Sequence, residues 1–82
     1  MLFSTKFRPI PCRDVERALR NLGFEMEPRT GTSHSKWRAM RDGRLHKVTL
    51  DCHHGEVKAK DIQSIIKQAG VSKKEFFQAA AK

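Results

Sequence analysis

Asp42-Gly43 separates two runs of alternating residues, and this dipeptide most constrains the fold. Both residue types tolerate the positive φ that a two-residue turn between antiparallel strands requires. On one side, Ser33 to Arg41 reads as a strand with Trp37 and Ala39 on one face and His34, Lys36 and Arg38 on the other. On the other side, a strand from about Leu45 to Cys52 sets Val48, Leu50 and Cys52 against Lys47, Thr49 and Asp51. An isolated hairpin is marginally stable in water, so further elements must cover its apolar face. Phe24-Glu25-Met26-Glu27 alternates in the same way and supplies a third, short strand. Pro28 places that strand at an edge or ends it, and Gly31 and Thr32 make the turn into the next one.

Elsewhere the apolar period is that of a helix. From about Arg13, Val15, Ala18, Leu19 and Leu22 form one stripe at i, i+3, i+4, i+7. Asp14 and Glu16 suit the positive end of the helix dipole, Arg20 suits the negative end, and Gly23 closes the element. Residues 1–11 read as an extended lead-in, because Pro9 and Pro11 oppose helix. A second helix carries Ile62, Ile65, Ile66 and Ala69 and stops at Gly70. Ser72-Lys73-Lys74-Glu75 matches a capping box that opens a short terminal helix with Phe76, Phe77 and Ala80. With 82 residues and no repeat or long linker, residues 1–82 form one domain. The expected class is α+β: α-β-β-β-α with an extra C-terminal helix, the three-stranded antiparallel sheet carrying its helices on one face. One sheet face is then buried and the other wet.

Charge narrows the function. Seventeen Lys/Arg against nine Asp/Glu give a net charge of +8, the balance of a polyanion binder or of a partner for an acidic protein. A domain this small cannot combine a deep substrate cavity with a large cofactor. The N-terminal stretch has no apolar run fit for a signal peptide and no later stretch could span a bilayer, so a cytoplasmic protein is expected. Cys12 and Cys52 are too few for a disulfide framework. The expectation is two reduced thiols packed as small buried groups, although a single bridge is compatible with the sequence.

The wet face would gather His34, Lys36, Arg38, Lys47 and Thr49. Histidine both takes and gives a proton near neutral pH. Cleavage of RNA through its own 2′-hydroxyl needs a base for that hydroxyl, cations for the charge that develops on phosphorus, and an acid for the leaving 5′-oxygen. His34 can serve as general base and acid, with Lys36 and Arg38 holding the phosphate and no metal ion taking part. Lys58 and Lys60 flank a helix N-terminus, where backbone N–H groups favour phosphate, whereas Lys67, Lys73 and Lys74 read as a solvated helix face. Cys52-His53-His54, with His46 nearby, suggests a metal cluster at first sight. Neighbouring strand residues point to opposite faces, however, and the spacing matches no usual zinc pattern. His53 or His54 suits a supporting RNA contact or the acid better. Trp37 could stack a base, but its parity directs it to the core.

Several segments in this order resemble the HicA family, the small mRNA-cleaving toxins of bacterial toxin–antitoxin pairs. They are Arg13-Asp14-Val15, Leu22-Gly23-Phe24, Gly31-Thr32-Ser33-His34-Ser35-Lys36-Trp37-Arg38, Val48-Thr49-Leu50, Glu56-Val57-Lys58 and the stretch from Ile62 to Gly70. The resemblance implies a fold like the double-stranded-RNA-binding domain, endoribonuclease activity on mRNA, no cofactor, and a HicB-like antitoxin as partner. It places the family's catalytic histidine at His34. Two positions depart from the family pattern. Ser35 stands where a second His or a Glu often follows the catalytic residue, and Ala59-Lys60-Asp61 replaces Pro-Gly at a helix opening, adding a cation there. Three classes stay open: a ribonuclease toxin, a noncatalytic RNA-binding module of the same fold, and a protein whose basic face only docks an acidic partner. His34 in its Gly/Thr/Ser setting favours the first, since cations alone would suffice for binding.

Overall fold

The structure is a computed structural model in which residues 8–28, 34–52 and 54–82 are described. Helix α1 (Cys12–Asn21) forms where the first apolar stripe lies, and it buries Cys12, Val15, Ala18 and Leu19. Asp14–Arg17 and Glu16–Arg20 ion pairs brace its outer face at 3.2 and 3.6 Å. Pro11 occupies the N-cap with no side-chain cap bond, and the Cys12 N–H donates to the Gly55 carbonyl instead, at 2.9 Å. The helix runs out at Leu22, and Gly23 turns the chain at φ +94°.

The lead-in is more than an extended tail. Its end forms a two-residue strand, β1 (Ile10–Pro11), which pairs antiparallel with β5 (Glu56–Val57) in the register Ile10↔Val57 and Pro11↔Glu56. The larger sheet has the order β2 (Glu25–Met26), β3 (His34–Arg41), β4 (Arg44–Asp51), all antiparallel. Asp42 and Gly43 both take positive φ, +52° and +76°, as the turn chemistry requires. The turn Gly31-Thr32-Ser33 and the residue His53 lie outside the described residues.

Helix α2 (Ala59–Ala69) packs on β4, and α3 (Lys73–Ala81) packs on α1. The expected faces hold: Trp37, Ala39, Val48 and Leu50 point inward with Ile62, Ile65, Phe24 and Phe76, while the other side of the sheet is wet. The Ser72 hydroxyl accepts the Glu75 N–H at 3.0 Å, and the Glu75 carboxylate meets Arg41 at 3.4 Å. Arg17 and Asn21 of α1 donate to the carbonyls of Ala80 and Ala79, tying α1 to the last turn of α3. Trp37 belongs to the core and offers no face to a base: it is 1% exposed, its Nε1 donates to Ser35 Oγ at 3.0 Å, and Arg20 lies 5.3 Å from its ring centroid.

The expectation of two free thiols is corrected. Cys12 and Cys52 are joined in a disulfide, with Cα atoms 6.0 Å apart. Counting cysteines could not reveal this. The start of α1 and the residue after β4 are 40 positions apart in sequence and become neighbours only through the β1–β5 pairing and the packing of α1. Among the described residues, no helix is long and apolar enough to cross a membrane.

Gly70 ends α2 in the left-handed conformation at φ +73°, and a Cβ added there would lie 2.8 Å from His46 Cε1. Relief requires the His46 ring to shift and give up the 3.4 Å approach of its Nδ1 to the Gln68 carbonyl oxygen. Gly70→Ala is therefore expected to destabilise the domain by more than the roughly 1–2 kcal/mol of the backbone conformation alone. Urea unfolding should show a lower midpoint at unchanged slope. An unaltered midpoint would mean that the ring gives way and the turn is unstrained.

Candidate active site

Strand register builds the candidate site. On the wet face, β3 presents His34, Lys36, Arg38 and Met40 in sequence, and β4 sets Asp51, Thr49, Lys47 and Leu45 directly opposite them. Residues facing each other across an antiparallel pair share a face, so these eight form one two-column surface. His34, Lys36, Arg38 and Lys47 thus stand together where the alternation put them. His34 occupies one end with its side chain 51% exposed.

The short edge strand modifies the charge of this surface. Glu25 is the direct partner of Arg38, and the Glu27 N–H donates to the Lys36 carbonyl at 2.7 Å. The Glu27 carboxylate lies 3.7 Å from Lys47 Nζ. The like charges Arg38 and Lys47, opposed across the ladder, are therefore relieved by flanking carboxylates. At the far end, Gly23, Glu25, Arg38, Ala39, Met40 and Leu45 line a recess of about 400 Å³.

One residue of this constellation escaped sequence reasoning. Asp51 faces His34 across the strands, with its Oδ1 3.8 Å from His34 Nε2. The signal lay in the hairpin: a turn centred on Asp42-Gly43 pairs each residue of one strand with a fixed partner on the other, and His34 falls opposite Asp51. Ser35, by contrast, is settled as a core residue. It is 4% exposed and engaged with the Trp37 indole, so it points away from His34 and takes no place on the open face.

The other candidates lie elsewhere. Lys58 is the N-cap of α2 and Lys60 sits in its first turn, both exposed, so they belong to the helical layer and not to the strand rows. His54 is exposed in the turn before β5, at φ +54°. His46 is held against the end of α2 by the Gln68 carbonyl. Gln68 Oε1 also accepts the Thr49 N–H at 3.1 Å, which satisfies a donor on the outer edge of β4. Among the described residues, no three His, Cys, Asp or Glu side chains cluster so as to hold a metal ion.

Residues 12–71, well over half of the chain, match the sequence model of a family described as the HicA toxin of bacterial toxin-antitoxin systems. A comparison with curated proteins gives no match. The matched span runs from the start of α1 through α2 and so includes both columns of the open face.

Proposed function

Because the chain belongs to the HicA toxin family, we propose that it is the toxin of a toxin–antitoxin pair and acts as a metal-independent endoribonuclease on mRNA. The observation that supports this reading is the placing of an exposed histidine at the head of a row of cations, on a sheet face that the core does not use.

His34 takes the proton from a ribose 2′-hydroxyl, whose oxygen then attacks the adjoining phosphorus. Lys36 and Arg38 hold the phosphate oxygens as negative charge builds on them, and Arg38 can engage two oxygens at once. The new O2′–P bond forms as the P–O5′ bond breaks. The 5′-oxygen leaves with the proton returned by the imidazolium, giving a 2′,3′-cyclic phosphate and a 5′-hydroxyl. Lys47, with its charge shared with Glu27, contributes to the field along the strand, and Lys58 and Lys60 contact phosphates farther along the RNA. A HicB-like antitoxin with an acidic surface would cover the same face and be steered to it by the same cations.

The test compares a single-stranded RNA with an all-deoxy strand of the same sequence, each with and without EDTA. RNA should be cut to cyclic-phosphate ends in both conditions, and the deoxy strand should stay intact. Loss of cleavage in EDTA with rescue by Mg²⁺ would overturn the mechanism. Binding of RNA with no cleavage would make the protein a noncatalytic RNA-binding module.

A further inference from the structure

We infer that Asp51 is a positioning residue for His34: its carboxylate holds the Nε2–H side of the ring and leaves Nδ1 to take the 2′-hydroxyl proton. This rests on the reading of His34 as the group that moves the proton.

Three observations carry it. The two residues are direct cross-strand partners on the open face, and the ring nitrogen that faces the carboxylate is Nε2, 3.8 Å from Oδ1. A shift of about 0.6–1 Å at the ring tip closes that gap to a hydrogen bond, and catalytic hydrogen bonds often tighten once substrate is bound. Asp51 is also the more enclosed of the pair. Its side chain is 24% exposed against 51% for His34, and its Oδ1 is shielded from water. The next residue, Cys52, is bonded to Cys12 at the start of α1, so the backbone carrying the carboxylate is anchored to the core. Finally, a carboxylate on a face that must hold phosphate opposes binding, and the register sets Asp51 directly opposite the imidazole, at the end of the row of cations.

A neutral imidazole can accept a proton only through the nitrogen that carries none. A carboxylate on one nitrogen fixes which tautomer that is and supports the imidazolium once it forms, without itself taking the proton. Asp51 acts on the reaction through His34 and touches no reacting atom.

Asp51→Asn and Asp51→Glu, made in the full chain with its disulfide intact, test this. Asp51→Asn should lower kcat on RNA by at least about 10-fold, the loss of an orienting carboxylate being worth roughly 10- to 100-fold at metal-bound histidines and up to about 10,000-fold at a catalytic base. KM should be unchanged or lower, since a charge that repels phosphate is gone. Asp51→Glu should recover most of kcat. Long-range ¹H–¹⁵N correlation should show His34 of the wild type with its proton on Nε2, and a mixture of tautomers in Asp51→Asn. A purely structural role for Asp51 would move the unfolding midpoint and leave the tautomer and the split between kcat and KM alone. Wild-type kcat in a folded Asp51→Asn, or a wild-type His34 protonated on Nδ1, overturns the inference, and the second measurement stands even where the variant fails to fold. Inactive His34→Ala beside fully active Asp51→Asn removes only the role of Asp51. Fully active His34→Ala removes the reading of His34 on which it rests.

Discussion

His34→Ala is expected to lower RNA cleavage by roughly 100- to 10,000-fold, the range that general acid–base assistance supplies. Fold and RNA affinity should change little. The side chain lies half in solvent at the end of β3, and the core beneath the sheet is closed by Ser35, Trp37 and Leu50 without it. The cross-strand contact with Asp51 that the substitution removes is worth roughly 0.2–1 kcal/mol. The cations that hold phosphate remain, so RNA should still bind and should still be released steeply as salt rises. Initial rates on a labelled RNA, a denaturant midpoint and a salt titration of binding together check the expectation. A correctly folded variant that cleaves at the wild-type rate would transfer the role to His53 or His54.

The elements that could be read in the sequence are those whose evidence is local. Asp42-Gly43 and its flanking alternation carry the β3–β4 hairpin, because turn chemistry and strand parity need no knowledge of distant residues. The same parity placed His34, Lys36, Arg38 and Lys47 on one face and Trp37 on the other. Ile10-Pro11 and Glu56-Val57 are not flanked by alternation as β2 is, so the β1–β5 pairing was invisible, and with it the approach of Cys12 to Cys52. Asp51 was legible in principle. Parity already assigned it to the open face, and only the register arithmetic of the hairpin was needed to set it opposite His34. The pairing of Lys47 with Glu27 was harder to see, because β2 is short and the loop joining it to β3 does not fix a register by its length.

Removing the Cys12–Cys52 bond should lower stability more than any single surface substitution. The bond closes a loop across 40 positions, for which the chain-entropy estimate is roughly 4 kcal/mol. A domain of this length is stable by only about 4–12 kcal/mol in all, so the loss is a large share. Reduction by dithiothreitol, or the pair Cys12→Ala and Cys52→Ala, should lower the melting midpoint by about 10–30 °C. The consequence reaches the site as well. Cys52 follows Asp51, and the bond ties the end of β4 to α1, so its loss frees the strand end that sets the carboxylate opposite His34. Cleavage should therefore fall on reduction at temperatures where the domain is still folded, whereas His34→Ala removes cleavage at an unchanged midpoint. In a reducing compartment the bond would open, which makes the oxidised and reduced forms two states of different stability and activity. Two titratable thiols in the unreduced protein would show that the bond does not form. A midpoint and a cleavage rate that both ignore dithiothreitol would show that it neither holds the fold nor steadies the site.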